Sequence, residues 1–224
     1  MVVPDSIGLI YAVSLNSDNE MALSCRKNFD KSGTLVFADH GEIMGTISTN
    51  VNPQQSEWCE ITSNKDQILV TLNEGGFGSN NSILQLVSNL DSIPDNIQLG
   101  DGGNHIFYPA NGYDYVFVTV TGSHKVVVVD LLKKKIMQTF TTNTSGYNGP
   151  RESVLLGKNL FVTTYNSSIL EINSETGTLI ATLNSKGKPE GLTVINGKLW
   201  VANAFGSGSY TPDSTVAIFE SPSQ

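Results

Sequence analysis

The chain has 224 residues, 39% of them hydrophobic and 15% charged, and its 13 Lys and Arg against 21 Asp and Glu give a formal net charge of −8. That acidic balance argues against tracking of a phosphate backbone or an anionic membrane surface, so nucleic acid is not an expected partner. No apolar run approaches the ~20 residues of a membrane span, and the N-terminus lacks the charged and apolar regions of a signal peptide, so a soluble chain is expected, with a secreted form whose signal has been removed also compatible.

No Pro/Ser-rich linker or charge run divides the sequence, and residues 1–224 read as one domain. Along it a strand phrase recurs: Thr34–Asp39, Ser82–Val87, Lys125–Asp130, Ser168–Asn173 and Thr215–Glu220. A spacing of about 40 to 50 residues is that of propeller blades or solenoid turns. Each copy reads as the third of four short strands, bounded by Gly, Asn and Asp, with fourth strands at Glu42–Thr49, Ser92–Leu99, Lys135–Thr141 and Thr178–Leu183. Short turns such as Asn111-Gly-Tyr-Asp114, Asn196-Gly197 and His40-Gly41 tolerate positive φ and join the strands up and down.

The predicted fold is therefore all-β: a five-bladed β-propeller of four-stranded antiparallel blades, covering residues 4–50, 51–100, 101–142, 143–184 and 185–224. The last repeat stops after its third strand. Met1–Val3 is expected to pair into it, closing the ring and removing an exposed sheet edge.

The stretch Tyr115–Asp130 followed by Lys135–Phe140 resembles the YVTN-type propeller repeat, and Lys188–Val194 with Gly197–Asn203 looks like the corresponding phrase in NHL and gluconolactonase/SMP-30-type propellers. In gluconolactonase-like proteins the acidic residue of the Pro-Asp-Gly phrase is a metal ligand and catalytic base. The resemblance puts Glu190 at that position and Asn104 at an asparagine ligand, and so implies a divalent cation such as calcium there. Arg151 stands where another small polar ligand would be expected.

The long connections are predicted to share one face: Arg26–Gly33, Asn73–Asn81, Thr119–His124 and Ala204–Asp213 within blades, and Asn50–Glu57, Gly100–Asn104, Thr141–Pro150 and Asn184–Pro189 between them. Loops on a rigid scaffold are where binding concentrates. At the starts of the innermost strands the chain supplies Asp5, Glu57-Trp58, Asn104-His105, Arg151-Glu152 and Glu190, which would converge at the channel mouth. The aromatics Trp58, Phe77, Tyr108, Tyr147, Phe205 and Tyr210 lie near the same face. Tyr147 and Tyr210, set among Gly, Ser and Thr where no core pattern demands them, are the preferred contacts.

Two functions follow, with a purely structural or assembly role as a third possibility. The first is a module that binds a small organic molecule, glycan or protein segment through Trp58, Asn104, His105, Arg151, Glu190, Tyr147 and Tyr210. The second is a lactonase- or hydrolase-like enzyme, or one that shapes a reactive substrate, with Glu190, His105 and Glu152 as its acid/base groups. No Gly-x-Ser-x-Gly elbow or HExxH helix accompanies the three histidines. Cys25 and Cys59 allow at most one disulfide, with two buried thiols as the alternative. Sequons at Asn80, Asn143 and Asn166 fit a secreted glycoprotein, but a chain rich in Asn and Ser produces such matches by chance.

Overall fold

The structure, a computed structural model, describes residues 7–109 and 112–220. The segment Met1–Val3 expected to close the ring, and Asp5 at the channel mouth, lie outside the described residues. Nineteen strands form five antiparallel sheets in strict sequence order. Blade 1 is β1 (Leu9–Leu15), β2 (Met21–Arg26), β3 (Ser32–Asp39) and β4 (Glu42–Val51); blade 2 is β5 (Pro53–Glu60), β6 (Gln67–Asn73), β7 (Ser82–Val87) and β8 (Asp95–Gly100). Blade 3 is β9 (Gly103–Phe107), β10 (Tyr115–Val120), β11 (Lys125–Asp130) and β12 (Lys135–Thr141); blade 4 is β13 (Pro150–Leu156), β14 (Asn159–Thr164), β15 (Ser168–Asn173) and β16 (Leu179–Asn184). Blade 5 has three described strands, β17 (Gly187–Ile195), β18 (Lys198–Gly206) and β19 (Val216–Phe219). No described strand covers the outer edge of β19.

The recurring phrase is the third strand of every blade, and its pleat explains the packing. In β11, Val127 and Val129 face blade 2 while Val126 and Val128 face blade 4, so one unbroken valine run feeds two cores. Equivalent cores join blade 1 to blade 2 through Leu35, Phe37 and Leu69, and blade 4 to blade 5 through Phe161, Ile169, Leu199 and Val201. The first strands β1, β5, β9, β13 and β17 follow one another along the inner side. At the ends of the series two faces stay open: Leu9, Val13 and Leu15 are 69%, 56% and 58% exposed, and Val216 and Ile218 are 54% and 49% exposed. Trp200, paired with Thr193 and Ile218, lies on the second of these faces.

Turn chemistry follows the sequence. Asn196 and Gly197 both have positive φ, as a two-residue hairpin turn requires. Cys25 and Cys59 are buried free thiols in neighbouring blades, and burial raises both pKa values. No helix of the described residues is long and apolar enough to cross a membrane.

The connections differ from the expected set. Asn50–Glu57 is strand apart from Asn52, and Asn184–Pro189 is strand apart from residues 185 and 186. Their Asn, Gln and Ser content reads as loop because an innermost strand faces a polar axis rather than a core. The three longest connections among the described residues, 74–81, 142–149 and 207–215, lie at one end of the blades, the loop face, while the seven-residue connection 88–94 lies at the other.

Candidate functional site

Each innermost strand carries an irregularity at the same level, near the loop face. In β1, Ile10 pairs with Cys25 and Ala12 with Ser24, leaving Tyr11 extra; in β5, Pro53 pairs with Asn73 and Gln55 with Leu72, leaving Gln54. Asn104 is the extra residue of β9, Arg151 and Glu152 together oppose Thr163 in β13, and Glu190 is extra in β17. A bulge frees a side chain from the alternation of the sheet and re-aims it. Tyr11, Gln54, Asn104, Arg151 and Glu190 are thus equivalent positions around the inner rim.

In blades 2, 3 and 4 the residue after the bulge reaches into the next blade. Gln55 accepts from Ile106 N at 2.8 Å and donates to Ile106 O at 3.0 Å; Nδ1 of His105 accepts from Ser153 N at 3.4 Å; Oε2 of Glu152 accepts from Leu192 N at 2.9 Å. Ser14 does the same for Trp58 N at 3.0 Å. His105 is therefore a neutral acceptor held between blades 3 and 4, its pKa lowered by burial to about 4. Burial raises the carboxyl of Glu152, partly offset by the Leu192 N–H.

At the rim of blades 4 and 5 the side chains form a connected group. Nη2 of Arg151 donates to Oε1 of Glu190 at 2.6 Å and Nε donates to the same carboxylate at 3.2 and 3.3 Å. The guanidinium lies 4.4 Å from the centroid of the Tyr165 ring. Burial disfavours the Arg151 charge, but the Glu190 carboxylate outweighs it and raises the pKa. The Tyr165 hydroxyl accepts from Nη2 of Arg151 at 3.4 Å and is pushed up to about 12, first by burial and then by the neighbouring Glu190 carboxylate. Tyr165 meets Phe205 edge-on at 6.4 Å, Phe205 meets Tyr210 at 5.5 Å, and Nζ of Lys188 stands 3.8 Å over the Tyr210 ring. Across the rim, Glu74 accepts from Asn52 at 2.6 Å and from Gln54, and its charge acts on Arg151. Phe77 and Tyr147, from two of the long loops, stack with centroids 5.9 Å apart and planes 12° apart, yet remain 66% and 71% exposed.

The structure thus brings together Arg151 and Glu190, and places Tyr147 and Tyr210 on the same face. Asn104 occupies the equivalent rim position of blade 3. Trp58 is elsewhere: it points between blades 1 and 2, against Phe37 at 6.2 Å, and lines a cavity at the opposite end. Tyr108 donates to the carbonyl of Glu60 at 2.7 Å as a structural tie. A divalent cation at Glu190 and Asn104 does not fit this arrangement, because both Glu190 oxygens face Arg151. Among the described residues no group of three or more His, Cys, Asp or Glu side chains is arranged to hold a metal. Sequence reasoning missed Gln54, Glu74, Tyr165 and Lys188; only the spacing of Gln54 from Arg151 and Glu190 by whole repeats could have signalled the first.

No family model and no curated protein matches the sequence. Solved structures do. A chain of Kuenenia stuttgartiensis hydrazine synthase aligns over 98% of this chain and 65% of its own, with 17% identity and a TM-score of 0.69. A chain of the mitotic checkpoint complex aligns over 94% and 62%, with 12% identity and a TM-score of 0.71, and the WD40 domain of Toxoplasma gondii coronin over 94% and 55%, with 11% identity and 0.66. At these identities the likeness shows the fold alone, and that fold is the β-propeller. The chain spans less than two thirds of each of these relatives.

Proposed function

We propose that the protein is a binding module whose loop face captures a protein segment or glycan. The observation that carries this reading is the set of exposed aromatic rings, Phe77, Tyr147 and Tyr210, standing on loops of Gly, Ser and Asn fixed to a rigid sheet scaffold. Such rings give large contact area at small entropic cost, and the loops around them supply adaptable hydrogen bonds, the combination used by antibody paratopes. Lys188 over Tyr210 and the Arg151–Glu190 pair add charged groups along one side of this surface. Glu190, His105 and Glu152 are each engaged with protein groups and serve in this reading as scaffold. Pairing of Met1–Val3 along β19 is part of the same reading, since it would complete the blade that carries Tyr210.

The test is a peptide-display and glycan-array screen with the wild type and with Phe77→Ala/Tyr147→Ala and Tyr210→Ala variants. Ligands lost by both variants with folding intact support the loop face. Ligands that bind all three proteins equally overturn it.

A further inference from the structure

At the end of the blades opposite the long loops, a cavity of about 580 Å³ opens between blades 1 and 2. Its volume is within the range of small-molecule sites. Four connections frame it: 16–20, 39–41, 61–66 and 88–94. Phe37, Ala38, Met44, Trp58 and Leu90 form an apolar lining, and Phe37 and Trp58 meet edge-on. Leu90 is seated by Gly45, where an added Cβ would come 3.0 Å from Leu90 Cδ2. The indole Nε1 of Trp58 is buried and has no hydrogen-bond acceptor among the described residues. That is an unusual state for a buried donor.

The charged lining is mostly negative. Asp18, Glu20, Asp39, Asp66 and Asp91 supply five carboxylates and Lys65 the one ammonium, which is drawn away to Glu60 at 2.8 Å. Neutral donors steady several of these acids: Asn16 on Glu20 at 2.7 Å, Gln67 on Asp18 at 3.1 Å and Asn64 on Asp66 at 2.6 Å. Asp39 holds His40 at 2.5 Å. Carboxylates around an aromatic and aliphatic floor suit a cation that carries an apolar body, because the charge is met at the rim while the stem is removed from water. A bare metal ion would use the acids and leave the apolar lining idle.

We infer that this interblade cavity is a second binding site, distinct from the loop face, for an organic cation: an ammonium or guanidinium on an aliphatic stem, presented as a free amine or as the side chain of a protein segment.

Trp58 and Trp200 are the two tryptophans of the chain, so a Trp200→Phe variant makes emission report on this cavity. That protein is titrated at low salt with spermidine, N-acetyl-arginine amide, a short Lys/Arg peptide, the neutral N-acetyl-citrulline amide and calcium chloride, with calorimetry alongside. Saturable binding and a shift of Trp58 emission are expected for the organic cations and not for the citrulline compound. Tighter binding of the peptide than of spermidine assigns the source to a protein segment, and the reverse order to a free amine. The Asp66→Asn/Asp91→Asn variant should bind about tenfold more weakly, while Phe77→Ala/Tyr147→Ala should bind unchanged, which separates this site from the loop-face reading. Equal response to the neutral analogue, calcium competing at equal concentration, or no change in Trp58 emission would overturn the inference.

Discussion

Ser153 donates its backbone N–H to Nδ1 of His105 across the boundary between blades 3 and 4, at 3.4 Å. The bond needs a neutral imidazole, and burial supplies one by lowering the pKa to about 4. In the unfolded chain the same group returns to about 6.5. Between these values the unfolded chain binds the proton and the folded one does not, so stability falls as pH drops from about 6.5 to about 4, by up to roughly 3 kcal/mol. Glu152 works in the opposite sense: its carboxyl is raised by burial, so acid favours its folded form. His105→Gln should therefore flatten the acid loss of stability and Glu152→Gln should steepen it. Urea denaturation midpoints at pH 7 and 4.5 check both slopes.

Gln55 grips both backbone groups of Ile106 and so ties blade 2 to blade 3 with one side chain. Gln55→Ala leaves a part-buried N–H and C=O unpaired and should cost about 1–3 kcal/mol. Gln55→Glu keeps the acceptor for Ile106 N but sets a carboxylate against Ile106 O, so it should lose most of the same stability. Denaturant midpoints with an unchanged m-value would confirm that the loss lies in the folded state.

How much of this was legible from sequence depends on the period of the signal. The third strands of blades 2, 3 and 4 announced themselves because they are buried on both faces; Lys125–Asp130 and Ser168–Asn173 were read to the residue. Asn104, Arg151 and Glu190 were placed at the rim because whole-repeat spacing carries them there. Tyr11 and Gln54 were missed because the bulges that set the level of the rim have no composition of their own. Trp58 was assigned to the channel mouth, yet it lies four residues past the bulge of β5 and so near the other end of the strand. The cavity it lines is built by turns from two blades, a juxtaposition that no local pattern encodes.

Gly149 joins the long loop 142–149 to β13, and a Cβ there would stand 2.7 Å from the carbonyl carbon of Thr121 and collide with its oxygen. Thr121 is itself fixed by its hydroxyl, which donates to Pro150 O at 2.6 Å. Neither partner is the free end of a flexible side chain, so Gly149→Ala must shift backbone. A loss of about 1–3 kcal/mol is expected, read as a lower melting temperature. Gly146→Ala meets no neighbouring atom within 4 Å. Its φ of 58° strains any other residue, so its smaller loss would separate strain from collision.

Arg151 and Glu190 are 21% and 37% exposed at the side chain, which makes their pair intermediate between a surface bridge and a buried one. Removing Glu190 leaves the guanidinium between Tyr165 and a rim where Glu74 is the remaining negative charge that acts on it. Removing Arg151 leaves Glu190, the more exposed of the two, with a better outlet to water. The two single losses should therefore differ, with Glu190→Gln costing about 1–2 kcal/mol and Arg151→Met about 1 kcal/mol or less, both below the cost of breaking a fully buried pair. The double variant should cost less than the sum of the singles, because no charge is then left unmatched. A denaturation cycle over the four proteins measures that coupling. Strict additivity would mean that the pair contributes position at the rim without contributing stability.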